Sequence, residues 1–259
     1  NLLLAKSSFT NWNISNTTEK YEQVLLTSYF NSKVTDIFEN DYLSPRANTA
    51  TLQIPTQGIG NWCYPFIKPS IIDSGLRKKA GTKNEIKTPE GIPFKTPSAE
   101  NENNILFVSQ WNNYPTEALI PLSGKSSHMY LLMAGSTNHM QSRFLNGEVV
   151  VTYADETTET LALMNPENWW PIEQDYYNDG FAFSTDAPKP YRVHLKTGEI
   201  TRDFSNYQPI KGFSEFGIEG GAATILDIPL DKNKSLKYIQ LKAVANEVVI
   251  GLMALTLIR

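Results

Sequence analysis

The chain has 259 residues, 41% hydrophobic and 19% charged, which excludes a disordered polypeptide and allows one large domain or two ordinary ones. A formal net charge of -4 leaves no basic surface of the size nucleic acid demands, and no apolar run approaches the ~20 residues of a membrane-spanning helix. The one cysteine, Cys63, excludes an intrachain disulfide and a cysteine-based zinc site.

Residues 1–43 read as an N-terminal extension or linker, and 44–259 as one β domain. With neither Met nor a leader at Asn1, the sequence reads as a processed or excised piece. Val24, Leu25, Tyr29, Val34, Ile37 and Phe38 follow helical spacing loosely, which predicts one or two short helical turns between Tyr21 and Phe38. From Ser44 to Pro97 prolines recur and the chain reads as irregular, with strands suggested only at Thr51–Ile54 and Phe66–Ile67. Cys63 reads as a small buried side chain. The run from Leu76 to Asn84 carries Arg77, Lys78, Lys79 and Lys83 and reads as a solvated loop.

From Asn104 the pattern becomes that of β-structure. Ile105–Val108, Ala118–Leu122, Met129–Ala134, Gly147–Tyr153 and Thr158–Leu163 are short apolar or alternating segments with turn residues between them. Phe181–Phe183, Tyr191–Leu195 and Gly220–Ile228 continue the series. Lys237–Lys242 alternates, with Ile239 and Leu241 predicted inward. Val248–Ile258 is apolar on both faces, as a central strand covered on both sides would be. Together these predict an all-β fold, an antiparallel β-sandwich.

The run from Gly91–Phe94 through Ile120–Leu122, Leu131–Gly135 and Val151–Asp155 resembles the galactose-binding-like jelly-roll domains attached to bacterial glycoside hydrolases. Gly58–Trp62, Ile72–Arg77, Asn168–Asp175 and Gly220–Asp227 resemble, more narrowly, an uncharacterised domain. It occurs in glycoside-hydrolase-like proteins of Gram-negative polysaccharide degraders. The narrow resemblance covers most of the chain from about Tyr42 and brings no established active site with it. The hairpin after Tyr153 reads Ala-Asp-Glu-Thr where the broader group has Asp-Gly, a change confined to a hairpin tip.

The residues richest in chemistry lie in the loop from Asn165 to Tyr177. Trp169, Trp170 and Tyr176 offer flat rings for the apolar face of a pyranose, and Glu173, Gln174 and Asp175 offer hydrogen bonds to its hydroxyls. Trp111, Asn112 and Trp62 sit in runs of the same composition and join them as ligand-binding candidates. The same loop also reads as a plug, with Trp169 and Trp170 closing one end of the sandwich and the carboxylates capping loop amides. Glu173 and Asp175 are the one acid pair a glycosidase reading would choose, although that chemistry needs separations of ~5–5.5 or ~6.5–9.5 Å that i, i+2 spacing does not secure. His128, His139 and His194 lack metal-ligand spacing and read as structural. Arg46, Arg77 and Arg143 read as internal bridges or as partners for uronic acid carboxylates.

The expectation is therefore an accessory carbohydrate-binding module of a polysaccharide-degrading system, not itself catalytic, placed in the periplasm or at the cell surface. Its alternatives are a glycoside hydrolase domain using Glu173 and Asp175, and a structural domain packing on a catalytic domain of the same parent protein. The expected partner is an oligo- or polysaccharide, with no nucleic acid, no membrane and no cofactor. A structural calcium in the acidic loops is compatible with the composition.

Overall fold

The structure, a computed structural model, describes residues 20–40, 69–137, 143–176, 180, 185–208 and 217–259. In chain order the elements are β1 (Tyr21–Val24), α1 (Ser74–Ala80), β2 (Glu85–Lys87), β3 (Pro93–Lys95), β4 (Leu106–Ser109), β5 (Glu117–Pro121) and β6 (His128–Thr137). There follow β7 (Leu145–Tyr153), β8 (Thr158–Met164), β9 (Arg192–His194), β10 (Ile200–Thr201), β11 (Ala222–Pro229), β12 (Leu236–Ala243) and β13 (Val248–Ile258). A larger sheet runs β1-β13-β6-β11-β9-β10, with β4 pairing β13 beside β1; a smaller sheet runs β5-β12-β7-β8; and β2 pairs β3 in a hairpin. Every ladder between these strands is antiparallel. The all-β sandwich predicted from alternation is the fold observed.

The two sheets touch closely where β7 passes β13: a Cβ on Gly147 would lie 2.0 Å from Ile250 Cδ1. Ile250 therefore faces inward, as does its partner across the ladder, Gly135. Alternation along β6 then places Met129, Leu131 and Met133 inward and His128, Tyr130 and Leu132 outward. The outward face is covered as well. The one-turn 3-10 segment Val34–Phe38, α1 and the β2–β3 hairpin bury Val34, Ile37, Phe38, Leu76, Ile86 and Phe94, and Thr256 Oγ1 donates to the Pro93 carbonyl. All eleven residues of β13 and all ten of β6 are consequently buried. This explains why their sequences do not alternate.

In the smaller sheet, among the described residues, only one face is covered. Ile239 and Leu241 of β12 are buried while Tyr238, Gln240 and Lys242 are half-buried, as the alternation predicted; Lys237 is exposed because the register shifts between Leu236 and Tyr238.

Three local expectations are corrected. The stretch from Ser44 to Pro97, expected to be irregular with strands only at Thr51–Ile54 and Phe66–Ile67, forms the β2–β3 hairpin, in which Ile86 pairs with Phe94 and both are buried. Tyr21–Val24 is a strand, not a helical turn, because Tyr21 to Val24 pair with Ile258 to Leu255 of β13; the helical turn is confined to Val34–Phe38. The basic run after Leu76 is no loop in its first half but the end of α1. Leu76 and Ala80 lie one turn apart and are both buried, while Lys78 and Lys79 are exposed. Thr51–Ile54, Cys63, Phe66–Ile67 and Phe181–Phe183 lie outside the described residues.

Candidate functional site

The aromatic loop is interior. Trp169 is 1% exposed, Trp170 2% and Tyr176 5%. The expectation of an exposed ring platform is corrected accordingly. Trp169 fills space between the layers, and a Cβ on Gly135 would lie 2.8 Å from its ring. Trp170 Nε1 donates to the Pro166 carbonyl at 2.9 Å, and its ring centroid lies 5.4 Å from that of Tyr176.

Polar residues hold the loop in place. Asn168 Nδ2 donates to the Ala162 carbonyl at 2.8 Å and Asn168 Oδ1 accepts from Met164 N–H at 2.9 Å, so the amide occupies part of the free edge of β8. Ile172 N–H donates to the Gly135 carbonyl, and Ala222 N–H to the Ile172 carbonyl, both at 2.8 Å. The loop is thus stitched to β6 and to the start of β11. The large sheet is wider than the small one, and the loop covers inward-facing surface on β9 and β11 that would otherwise be bare.

Arg192 of β9 anchors this cover. Register places it inward beside Thr224, 1% exposed. Its guanidinium donates to the carbonyls of Gln174, Pro171 (3.1 Å) and Ala222 (2.8 Å), and it lies 5.6 Å from the Tyr176 ring centroid and 5.8 Å from that of Phe204. Glu173 is 2% exposed. Burial pushes its carboxyl up to about 8, outweighing its own backbone N–H and the Arg192 charge, so at neutral pH it is mainly the uncharged acid. Asp175 is 5% exposed, pairs with Lys189 Nζ at 2.9 Å, and accepts from Tyr176 N–H at 2.8 Å and Gln208 Nε2 at 3.3 Å. The two carboxyls of the glycosidase reading are therefore interior groups, and Asp175 is held by Lys189, Tyr176 N–H and Gln208.

Of the remaining candidates, Trp111 is 2% exposed in the turn after β4, and its backbone N–H donates to Ser109 Oγ at 3.1 Å. Asn112 beside it is exposed. Tyr114, in the same turn, accepts at its hydroxyl from Asn40 Nδ2 at 2.8 Å and packs its ring on Phe107, tying the segment before it to β4. Trp62 and Arg46 lie outside the described residues. Trp169, Trp170, Glu173, Asp175 and Tyr176 are brought together in one loop, whereas Trp111 and Asn112 belong to a separate turn.

The described histidines are bound into the fold. His128 Nε2 lies 2.7 Å from Asp227 Oδ2 on the outward face of the large sheet, where burial raises the Asp227 carboxyl despite the histidine beside it. His194 bonds Thr197 Oγ1 at 2.9 Å and the Glu219 carbonyl at 2.7 Å, and its ring stacks 3.9 Å from Tyr207. Burial lowers its pKa below the ordinary 6.5. His139 lies outside the described residues. Among the described residues no three His, Cys, Asp or Glu side chains gather as a metal site requires.

Among the described residues, open surface with polar chemistry lies beside α1. A cleft of about 640 Å³ is lined by Thr35, Ser74, Lys78, Thr82, Ser98 and Glu100, among others. Its floor is rigid. Arg77 donates through Nε to Asp73 Oδ2 at 2.9 Å and through its two terminal nitrogens to the carbonyls of Ala99 and Glu102. Asn104 Nδ2 donates to the same Asp73 oxygen at 2.8 Å, and Asn104 Oδ1 accepts from Val34 N–H at 2.9 Å. Arg77 is thus an internal bridge. A second cleft of about 460 Å³ lies on the other side of α1, between Lys78, Lys79, Thr197 and Glu199. The one signal of this region in the sequence is the cationic run after Leu76; its hydroxyls come from four separate segments.

The fold and these clefts define a class, an antiparallel β-sandwich with polar recesses flanking a short helix. No protein-family model matches the chain, and no curated protein matches it.

Proposed function

We propose that the chain is a non-catalytic carbohydrate-binding module, accessory to a polysaccharide-degrading system of the periplasm or cell surface, and that it takes its sugar in the cleft beside α1. The observation that supports this reading is the cleft itself. The hydroxyls of Thr35, Ser74, Thr82 and Ser98, with Lys78 and Glu100, surround a floor fixed by the Arg77–Asp73–Asn104 network. Such groups exchange hydrogen bonds with sugar hydroxyls, and a floor already ordered lowers the entropic cost of binding. Among the described residues no aromatic ring lines the cleft, and without stacking the affinity falls in the range of roughly micromolar to millimolar Kd. Burial of Glu173 and Asp175 favours binding over hydrolysis, since a glycosidic bond cannot reach acids that are 2% and 5% exposed. The jelly-roll, galactose-binding-like relationship belongs to the same proposal.

A glycan array with calorimetry on its hits, run beside a reducing-sugar assay, tests the reading. Expected are glycan binding without turnover and its loss in Ser74→Trp, which fills the cleft from an exposed position. Reducing-sugar release, or binding that survives the filled cleft, would overturn it.

A further inference from the structure

Charge is unevenly placed on this chain. Between Leu76 and Lys95 stand six cationic and two acidic side chains, in a protein whose formal net charge is -4. Arg77 is consumed by Asp73, and Lys87 faces Glu85 at 3.4 Å. Among the described residues Lys78, Lys79, Lys83 and Lys95 form no ion pair. Lys78 and Lys79 in the last turn of α1 favour its dipole, but Lys83 and Lys95 lie beyond that helix, so its dipole does not account for the whole group. Lys95 Nζ donates to the Lys83 carbonyl at 2.8 Å, drawing a fourth ammonium to the same ridge. The ridge coincides with the recesses: Lys78 lines both clefts and Lys79 the second. The acids on their walls are Asp73, which is paired with Arg77, and Glu100 in one and Glu199 in the other, the last accepting the Tyr207 hydroxyl.

Resting on the carbohydrate-binding reading above, we propose that this ridge selects an acidic polysaccharide. Its carboxylate or sulfate groups pair with Lys78, Lys79 and Lys83, while uncharged stretches of the sugar lie in the cleft. Each lysine ammonium is a compact point charge with three donors on a flexible stem, so it can follow anionic groups along a chain. The attraction is between exposed charges and is therefore screened by salt.

Three probes separate the possibilities: oligogalacturonate for carboxylates, dextran sulfate for sulfates, and a neutral panel of dextran, arabinan and galactan. Calorimetry should show binding of at least one anionic probe and none of the neutral ones, with the preferred probe naming the anionic group. Affinity should weaken several-fold between about 50 and about 200 mM NaCl. Lys78→Gln/Lys79→Gln should lower affinity about tenfold with Tm unchanged, since both side chains are exposed, and Lys237→Gln on the small sheet should do nothing. Neutral glycans bound as tightly as anionic ones would overturn the ridge while leaving the carbohydrate module standing. Anionic binding indifferent to the double variant would overturn the location. Failure of every probe and of the wider array would overturn both readings.

Discussion

Replacing Glu173 with Gln isolates the cost of one buried acid. Glu173 titrates at about 8 in the folded protein and near 4.5 when the chain is unfolded, because burial disfavours its charge. Between those values the folded state holds a proton that the unfolded state releases, so stability falls as pH rises. The loss begins near pH 4.5 and is complete just above 8. At about 1.4 kcal/mol per pH unit it amounts to about 5 kcal/mol, a large share of the ~5–15 kcal/mol that holds a domain together. At ~2–4 °C per kcal/mol for a chain of this size, Tm should drop by roughly 10–20 °C between pH 5 and 9. Asp227, also raised by burial, adds to the same trend, so the comparison is variant against parent. Glu173→Gln keeps the shape and removes the ionisation; scanning calorimetry across the range should show a flatter pH profile and a variant more stable than its parent at pH 8. Equal slopes in variant and parent, or a parent that gains stability toward pH 8, would refute the reasoning.

Trp170→Ala empties a position that is 2% exposed and should cost ~3–5 kcal/mol, read as a Tm lower by roughly 10 °C or more; an unchanged Tm would show the ring to be peripheral. Ending the chain at Asn246 removes β13, whose buried Val, Leu and Ile are worth ~1.5–3 kcal/mol each, and should abolish the cooperative unfolding transition seen by circular dichroism. His194, held neutral by burial and bonded at both ring nitrogens, should titrate below pH 6.5 by NMR. Its contribution to stability is present above that pH and is lost as pH falls below it.

The strands were legible because burial imposes a period, and period is visible in residue order. β12 shows this in Ile239 and Leu241, and β13 shows the opposite limit, where cover on both faces removes alternation altogether. β1 was misread as helical because Tyr21–Val24 is made a strand by its partners near Ile258, far away in sequence. α1 was missed because seven residues hold only Leu76 and Ala80 as apolar anchors, too few to register a helical period beside four charged or polar neighbours. The clefts at α1 were invisible for a similar reason. Thr35, Ser74, Thr82 and Ser98 become neighbours only when the outer face of the large sheet is covered.

The aromatic loop was located from sequence but placed on the wrong side of the surface, and the reason is physical. Trp, Asn, Glu and Asp in one short stretch satisfy two opposite demands equally well. On a surface they stack on and bond to a ligand. As a cover over a sheet they must fill a volume and also satisfy every backbone group the loop brings inside. Asn168 serves that second demand by bonding the edge of β8, Trp170 by donating to Pro166, and Arg192 by gathering three carbonyls from 171, 174 and 222. What decides between the demands is whether the small sheet reaches across the large one, and that depends on strand pairing rather than on loop composition. Here β9 and β10 extend the large sheet past its partner, so the loop became the missing part of the second layer. Its aromatic rings went inward with it.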